Sequence, residues 1–224
     1  MNVVIFGASG MVGHGALIEC LEGSEVASVR VVGRSSAGVE HPKLREIAHS
    51  DFLDFTAIEP DLTGLDACFW CLGVSSSGMS EADYRRITHD FTVAAAETLL
   101  RLNPALTMCF VSGTGTDSSA AGSTMWARVK GATENALLAM PFATAAMFRP
   151  GYIQPRKGVK SKTRSYRWAL AALRPLYPLI KLSFGARVTT TDTIGRAMIR
   201  VAREGTPKPI LTAPDINALG ALPG

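Results

Sequence analysis

The chain has 224 residues, with 23 Lys and Arg against 19 Asp and Glu, a formal net charge of +4, and 47% hydrophobic residues. This length buries one sizeable core, and the composition is that of a folded protein and excludes a disordered one. The longest apolar run near the end, residues 168–182, is broken by Arg174, Pro175, Pro178 and Lys181, which excludes a lipid-exposed spanning helix.

The chain opens on "NVVIF", a continuous apolar run expected to be a strand, with no basic and apolar leader before it. A soluble, cytoplasmic protein is therefore expected. Glycines follow, then the amphipathic "MVGHGALIECLEG". "VASVRVVG", "LREIA" and "DACFWCLG" read as the next strands, and "SEADYRRITHDFTVAAAETLLRLN" as one long helix. "ALTMCFVSG" (strand), "STMWARVKGATENALLAM" (helix) and "FATAAMFRP" (strand) complete the series. Continuous apolar strands separated by helices predict an α/β fold, a doubly wound parallel sheet with ligand sites at the carboxyl ends of its strands. After Gly151 the pattern changes to the polar, basic "YIQPRKGVKSKTRS" and a proline-broken helical stretch. A helix over "TTTDTIGRAMIRVARE", capped by Thr190 or Thr191 and ended by Gly205, and a short strand in "KPILTAP" are expected to follow. This reading makes residues 1–224 a single Rossmann-like domain, with a nucleotide-binding core over 1–150 and a small carboxyl-terminal cap over 151–224.

Chemistry enters at "VVIFGASGMVGHGAL", where Gly7, Gly10 and Gly13 are spaced G-x-x-G-x-x-G between a strand and a helix. Glycines in that context let the backbone approach a pyrophosphate held at the helix amino terminus, with Ala8, Ser9, Met11 and Val12 offering N–H groups. The second strand ends in "VVGRSS", so Arg34 stands where an acidic residue would accept from the ribose 2′-hydroxyl of NAD. An arginine there offers a charge-assisted fork to a 2′-phosphate, and Ser35 adds a donor. The expected cofactor is NADP(H).

Cys68 and Cys71 form C-x-x-C, but within a strand residues three apart face opposite sides, and no second pair completes a zinc site. The four cysteines read as buried, the four histidines lack ligand spacing, and no metal is expected. Between Glu134 and Asp192 the chain has no acidic residue and ten cations, at positions 149–187; the remainder has 13 basic against 19 acidic residues. Such a block suits an anionic partner or membrane surface, or is a solvated basic loop. With no nucleic-acid-binding motif beside it, no nucleic acid is expected. The oligomeric state is open.

"GASGMVG", "VVGRSS", "SDF", "CLG", "VSG", "RVKGATE" and "FRPGYI" occur in the order of an atypical or extended short-chain dehydrogenase/reductase, and nearly the whole chain resembles the Tat-interacting oxidoreductase group. That resemblance implies that Asp51 and Phe52 border the adenine, and that Cys71, Leu72 and Gly73 form the loop under the cofactor ribose. It implies that Ser112 sits beside the nicotinamide and Lys130 binds its ribose hydroxyls, while Pro150, Gly151 and Tyr152 close over the ring. In these enzymes a tyrosine four residues before the lysine moves the proton. Here that position is Trp126, whose indole N–H is a donor but not a usable acid near neutral pH. Tyr152 could supply a phenol instead, Ser112 or Thr114 could relay a proton from water, or the acceptor could need no positioned acid. Trp126 either packs in the core or lines a pocket for a flat substrate. The functional expectation is an NADP(H)-dependent oxidoreductase for a hydrophobic carbonyl, quinone or conjugated small molecule. The alternatives are a non-catalytic NADP(H)-sensing regulator or scaffold, and nucleotide-sugar epimerase chemistry.

Overall fold

The computed structural model describes residues 1–156 and 188–221. In chain order the strands are β1 (Asn2–Phe6), β2 (Ser28–Gly33), β3 (Leu44–Ala48), β4 (Ala67–Trp70), β5 (Thr107–Val111), β6 (Thr144–Arg149), β7 (Tyr152–Gln154), β8 (Val188–Thr190) and β9 (Ile210–Thr212). The helices are α1 (Met11–Glu22), α2 (Glu81–Arg85), α3 (Phe91–Leu102), α4 (Met125–Ala139), α5 (Thr191–Glu204) and α6 (Ala213–Leu219), with a 3-10 turn at Thr56–Leu62.

Seven strands pair in the order β3-β2-β1-β4-β5-β6-β9, every pairing parallel. The sheet's period of two divides its side chains between two cores. Val3, Ile5, Val29, Val31, Phe69 and Phe148 pack under α1 and α5, while Val4, Phe6, Trp70, Met108 and Phe110 pack with α3, α4 and the 3-10 turn. Cys68 and Cys71 fall on these opposite sides, so their spacing makes no redox pair. Burial pushes the Cys71 thiol up to about 12.

The expected single helix over residues 80–103 is interrupted. Ser80 caps it by accepting from the Asp83 N–H at 3.1 Å, but a π turn at Arg86–Asp90 joins α2 to α3. At that turn the Thr88 carbonyl accepts from Thr92 Oγ1 at 2.7 Å.

The structure also draws the boundary at residue 150 differently. α5 begins at Thr190, whose hydroxyl accepts from the Thr193 N–H, and ends at Gly205 with φ +70°, as its sequence signals predict. It is not part of a cap: it lies along α1, and Gly15 and Gly195 let the two backbones meet. A Cβ on Gly195 would stand 3.0 Å from Ala16 Cα, and one on Gly15 2.5 Å from Thr191 Cβ. β9 is the seventh strand of the main sheet. Only the two-stranded ribbon β7–β8 stands apart from it among the described residues. The proline-broken stretch and most of the expected basic segment, 157–187, lie outside the described residues.

Candidate functional site

The glycine loop joins β1 to α1. Gly7 has φ +80°, and a Cβ there would sit 2.6 Å from Leu72 N and 2.7 Å from the Cys71 carbonyl carbon. Only glycine fits this approach. Gly13 acts differently from the expectation: a Cβ on it would lie 2.3 Å from the Gly7 oxygen, so it allows α1 to pack on the loop and lines neither of the two cavities beside it. Gly10 caps α1 without a side-chain acceptor, and the first turn carries no acidic residue. The helix amino terminus therefore presents its amides to an anion.

A cavity of about 570 Å³ opens above this loop, lined by Gly7, Ala8, Ser9, Gly10, Met11, Val12, Arg34, Ser35, Phe52, Cys71, Leu72 and Gly73. Arg34 is exposed there and makes no hydrogen bond or ion pair with the described residues. Asp51 is not in the lining. Its carboxylate accepts from the Leu53 N–H at 3.0 Å, fixing the turn that delivers the buried Phe52 to the cavity.

A second cavity, of about 970 Å³, is lined by Ser112, Thr114, Trp126, Lys130, Pro150 and Gly151, with Val74, Ser75, Val111 and Ile153 among the remaining walls. Val12, Cys71, Leu72, Gly73, Val74 and Ile153 border both cavities, so the two form one cleft along the carboxyl ends of the central strands. That is where a doubly wound sheet places ligands. Trp126 thus lines the cleft rather than the core. Tyr152 does not: its chain neighbours Gly151 and Ile153 line the cavity, and on β7 successive side chains alternate sides.

The interior of this second cavity is organised by a residue the motifs did not single out. Glu134 is fully buried on α4, one turn after Lys130. It accepts from Ser112 Oγ at 2.5 Å and from Arg149 Nε at 3.0 Å, with a further short contact to Arg149 Nη2. Arg149 also donates to Ser118 Oγ at 2.6 Å. The network ties α4 to β5, β6 and the loop between β5 and α4. It also commits the single Ser112 proton, which leaves Ser112 an acceptor toward the cleft and without a free proton for the relay from water. The sequence did hold a signal for Glu134: a carboxylate at i+4 from Lys130 shares its helix face.

Lys130 Nζ donates to the Ser112 carbonyl at 2.7 Å and reaches the Val111 carbonyl at 3.4 Å. Burial lowers its pKa to about 8, against the opposing pull of Glu134. Thr114 Oγ1 donates to the Arg149 carbonyl at 3.3 Å. Of the ten cations at 149–187, Arg149 is consumed by Glu134 and contributes nothing to a free basic surface, Arg156 is exposed, and eight lie outside the described residues. Among the described residues no cluster of three or more His, Cys, Asp or Glu has a metal-holding arrangement, and no helix is long and apolar enough to cross a membrane.

No family model matches the chain. Rat HTATIP2 is 27% identical over 155 residues, covering 68% of this chain and 62% of that protein, so the alignment spans under two thirds of that relative's length. The Aspergillus oryzae protein fmp52-2, described as mitochondrial, is 24% identical over 206 residues, 91% of this chain and 89% of that protein. In fold, Bordetella bronchiseptica WbmF, solved with NAD+, superposes with a TM-score of 0.66 over 97% of this chain and 76% of that one at 17% identity. A short-chain dehydrogenase family protein of Francisella tularensis gives 0.63 over 91% of each chain at 14% identity. The chain carries the fold of these nicotinamide-dinucleotide-binding and short-chain dehydrogenase structures, and in sequence it is similar to HTATIP2 and fmp52-2.

Proposed function

We propose that this protein is an NADP(H)-dependent oxidoreductase that reduces a hydrophobic carbonyl, quinone or conjugated small molecule. The observation that carries the reading is the continuous cleft, with an uncapped helix amino terminus and an Arg34 that has no partner among the described residues at one end, and Lys130 and Trp126 at the other. The residues fit a nicotinamide dinucleotide: Gly7 leaves the space that a Cβ would fill, and the uncapped amides at the start of α1 would receive the pyrophosphate. Arg34 and Ser35 would take the 2′-phosphate, Phe52 would border the adenine, and the loop from Cys71 to Gly73 would lie under the ribose; all of them line the first cavity. The solved WbmF complex with NAD+ supports the dinucleotide, and Arg34 supports the phosphorylated form.

When bound, the reduced dinucleotide supplies a hydride. The chain itself binds and orients. Trp126, Val74, Val111 and Ile153 wall the second cavity and exclude water from a flat apolar acceptor. Lys130, with two of its N–H bonds held by the Ser112 and Val111 carbonyls, would turn the remaining one to the nicotinamide end of the cleft, and Ser112 would accept a hydrogen bond from the bound molecule. Titration of the protein with NADPH and NADH, followed by nucleotide fluorescence, tests the cofactor. The wild type should bind NADPH at least tenfold more tightly, and Arg34→Asp should abolish the preference; an NADH preference in the wild type removes the Arg34 argument. Turnover across a panel of quinones and aldehydes tests the activity.

The commitment of the Ser112 hydroxyl to Glu134, beside a tryptophan in the tyrosine position, favours one second reading, a sensor that binds NADP(H) without chemistry. Tight NADPH binding with no turnover on any acceptor would select it.

A further inference from the structure

We propose that Lys130 is the proton donor of this site, the role that Trp126 cannot fill. The inference rests on the oxidoreductase reading and adds to it the identity of the acid.

The cavity around Lys130 offers few protons. The Ser112 hydroxyl is spent on Glu134, and the Thr114 hydroxyl is turned to the Arg149 carbonyl. Among the described lining residues only Cys71 and Lys130 titrate, and burial raises the Cys71 thiol to about 12, too weak an acid for work near neutral pH. The Lys130 ammonium has three N–H bonds, of which the carbonyls of Ser112 and Val111 take two. The third is left for the cleft that Lys130 lines.

The charged groups around it act in opposite directions. Glu134, on the same helix, favours the ammonium, but its charge is already matched by Arg149 from β6. From β5 and the residue after it come the Val111 and Ser112 carbonyls and the Phe110 ring, whose centroid lies 5.9 Å from Nζ, and from the β4 end comes the neutral Cys71. Desolvation prevails and brings the ammonium to an acidity usable at neutral pH, about 8. In the step itself, the carbonyl carbon of the acceptor takes a hydride from the reduced nicotinamide dinucleotide and its oxygen takes the Lys130 proton. C=O becomes CH–OH, and the neutral amine left on Lys130 regains its proton from water.

Three measurements test this on the full chain: NADPH affinity, the pH profile of reduction, and the pH titration of the Lys130 ε-carbon by NMR without cofactor. Lys130→Arg keeps a cation but supplies no usable acid. At saturating NADPH its turnover should fall on the order of 10²-fold or more. The wild-type rate should decline as pH rises through the same midpoint at which the ε-carbon titrates, near 8. Lys130→Met should lose both turnover and part of the NADPH affinity, because the cation is gone. Near-wild-type turnover in Lys130→Arg, or a rate midpoint that differs from the ε-carbon midpoint by more than a unit, would overturn the assignment and leave the oxidoreductase reading standing. Absence of wild-type turnover with NADPH binding intact would overturn both.

Discussion

At residue scale the most consequential side chain is Glu134. A fully buried carboxylate is stable only when paired, and here one guanidinium and one hydroxyl share it. Glu134→Ala strands Arg149, whose side chain is 17% exposed, and should cost about 3–5 kcal/mol, read as a lower urea midpoint at unchanged slope. Replacing both partners with apolar residues, Glu134→Leu with Arg149→Met, should cost clearly less, since no buried charge is then left alone. Equal losses for the single and the double variant would mean that the pair acts through packing only. The same residue shows why the site was only partly legible in advance. "RVKGATE" pointed to Lys130, but nothing local could say that Glu134 reaches across to β5 and β6 and turns Ser112 into an acceptor. Asp51 and Gly13 carry the same lesson: each belongs to a motif that lines the cleft, yet one fixes a turn and the other a helix contact.

At the scale of elements, the helices follow their local signals closely. Ser80 and Thr190 cap the helices they precede, and Gly205 ends α5, because capping is settled by three or four adjacent residues. Thr190→Ala removes the acceptor for the Thr193 N–H and should destabilise the protein by about 1 kcal/mol, lowering Tm by roughly 2–4 °C. A thermal melt checks it, and an unchanged Tm would mean that the neighbouring Thr191 takes over the cap. The π turn between α2 and α3 was not legible, because an amphipathic pattern constrains which face is buried and not how each turn is wound.

For the whole molecule, the decisive feature is that the last described elements close the fold. Ile194, Ala197, Met198 and Val201 of α5 are each fully buried against the sheet and α1. Burying each large apolar side chain is worth about 1.5–3 kcal/mol, so losing this face would remove an amount comparable to the whole stability of a domain, about 5–15 kcal/mol. A chain ending at residue 187 should therefore show no cooperative unfolding transition by circular dichroism. A cooperative transition in that shortened chain would restore the division at residue 150 and make the remainder a dispensable cap.

The sequence by itself determined the alternation of strands and helices, the parallel class of the sheet and the glycine loop with Arg34 beyond it. These depend on short-range periodicity and on residues adjacent in the chain. Only the tertiary structure decided that α5 and β9 belong to the core, that Trp126 faces the cleft while Tyr152 does not, and that the Ser112 hydroxyl donates its hydrogen bond to Glu134. Each of those outcomes depends on a contact between residues far apart in the chain, and burial, not spacing, decides which partner a charged or apolar side chain meets.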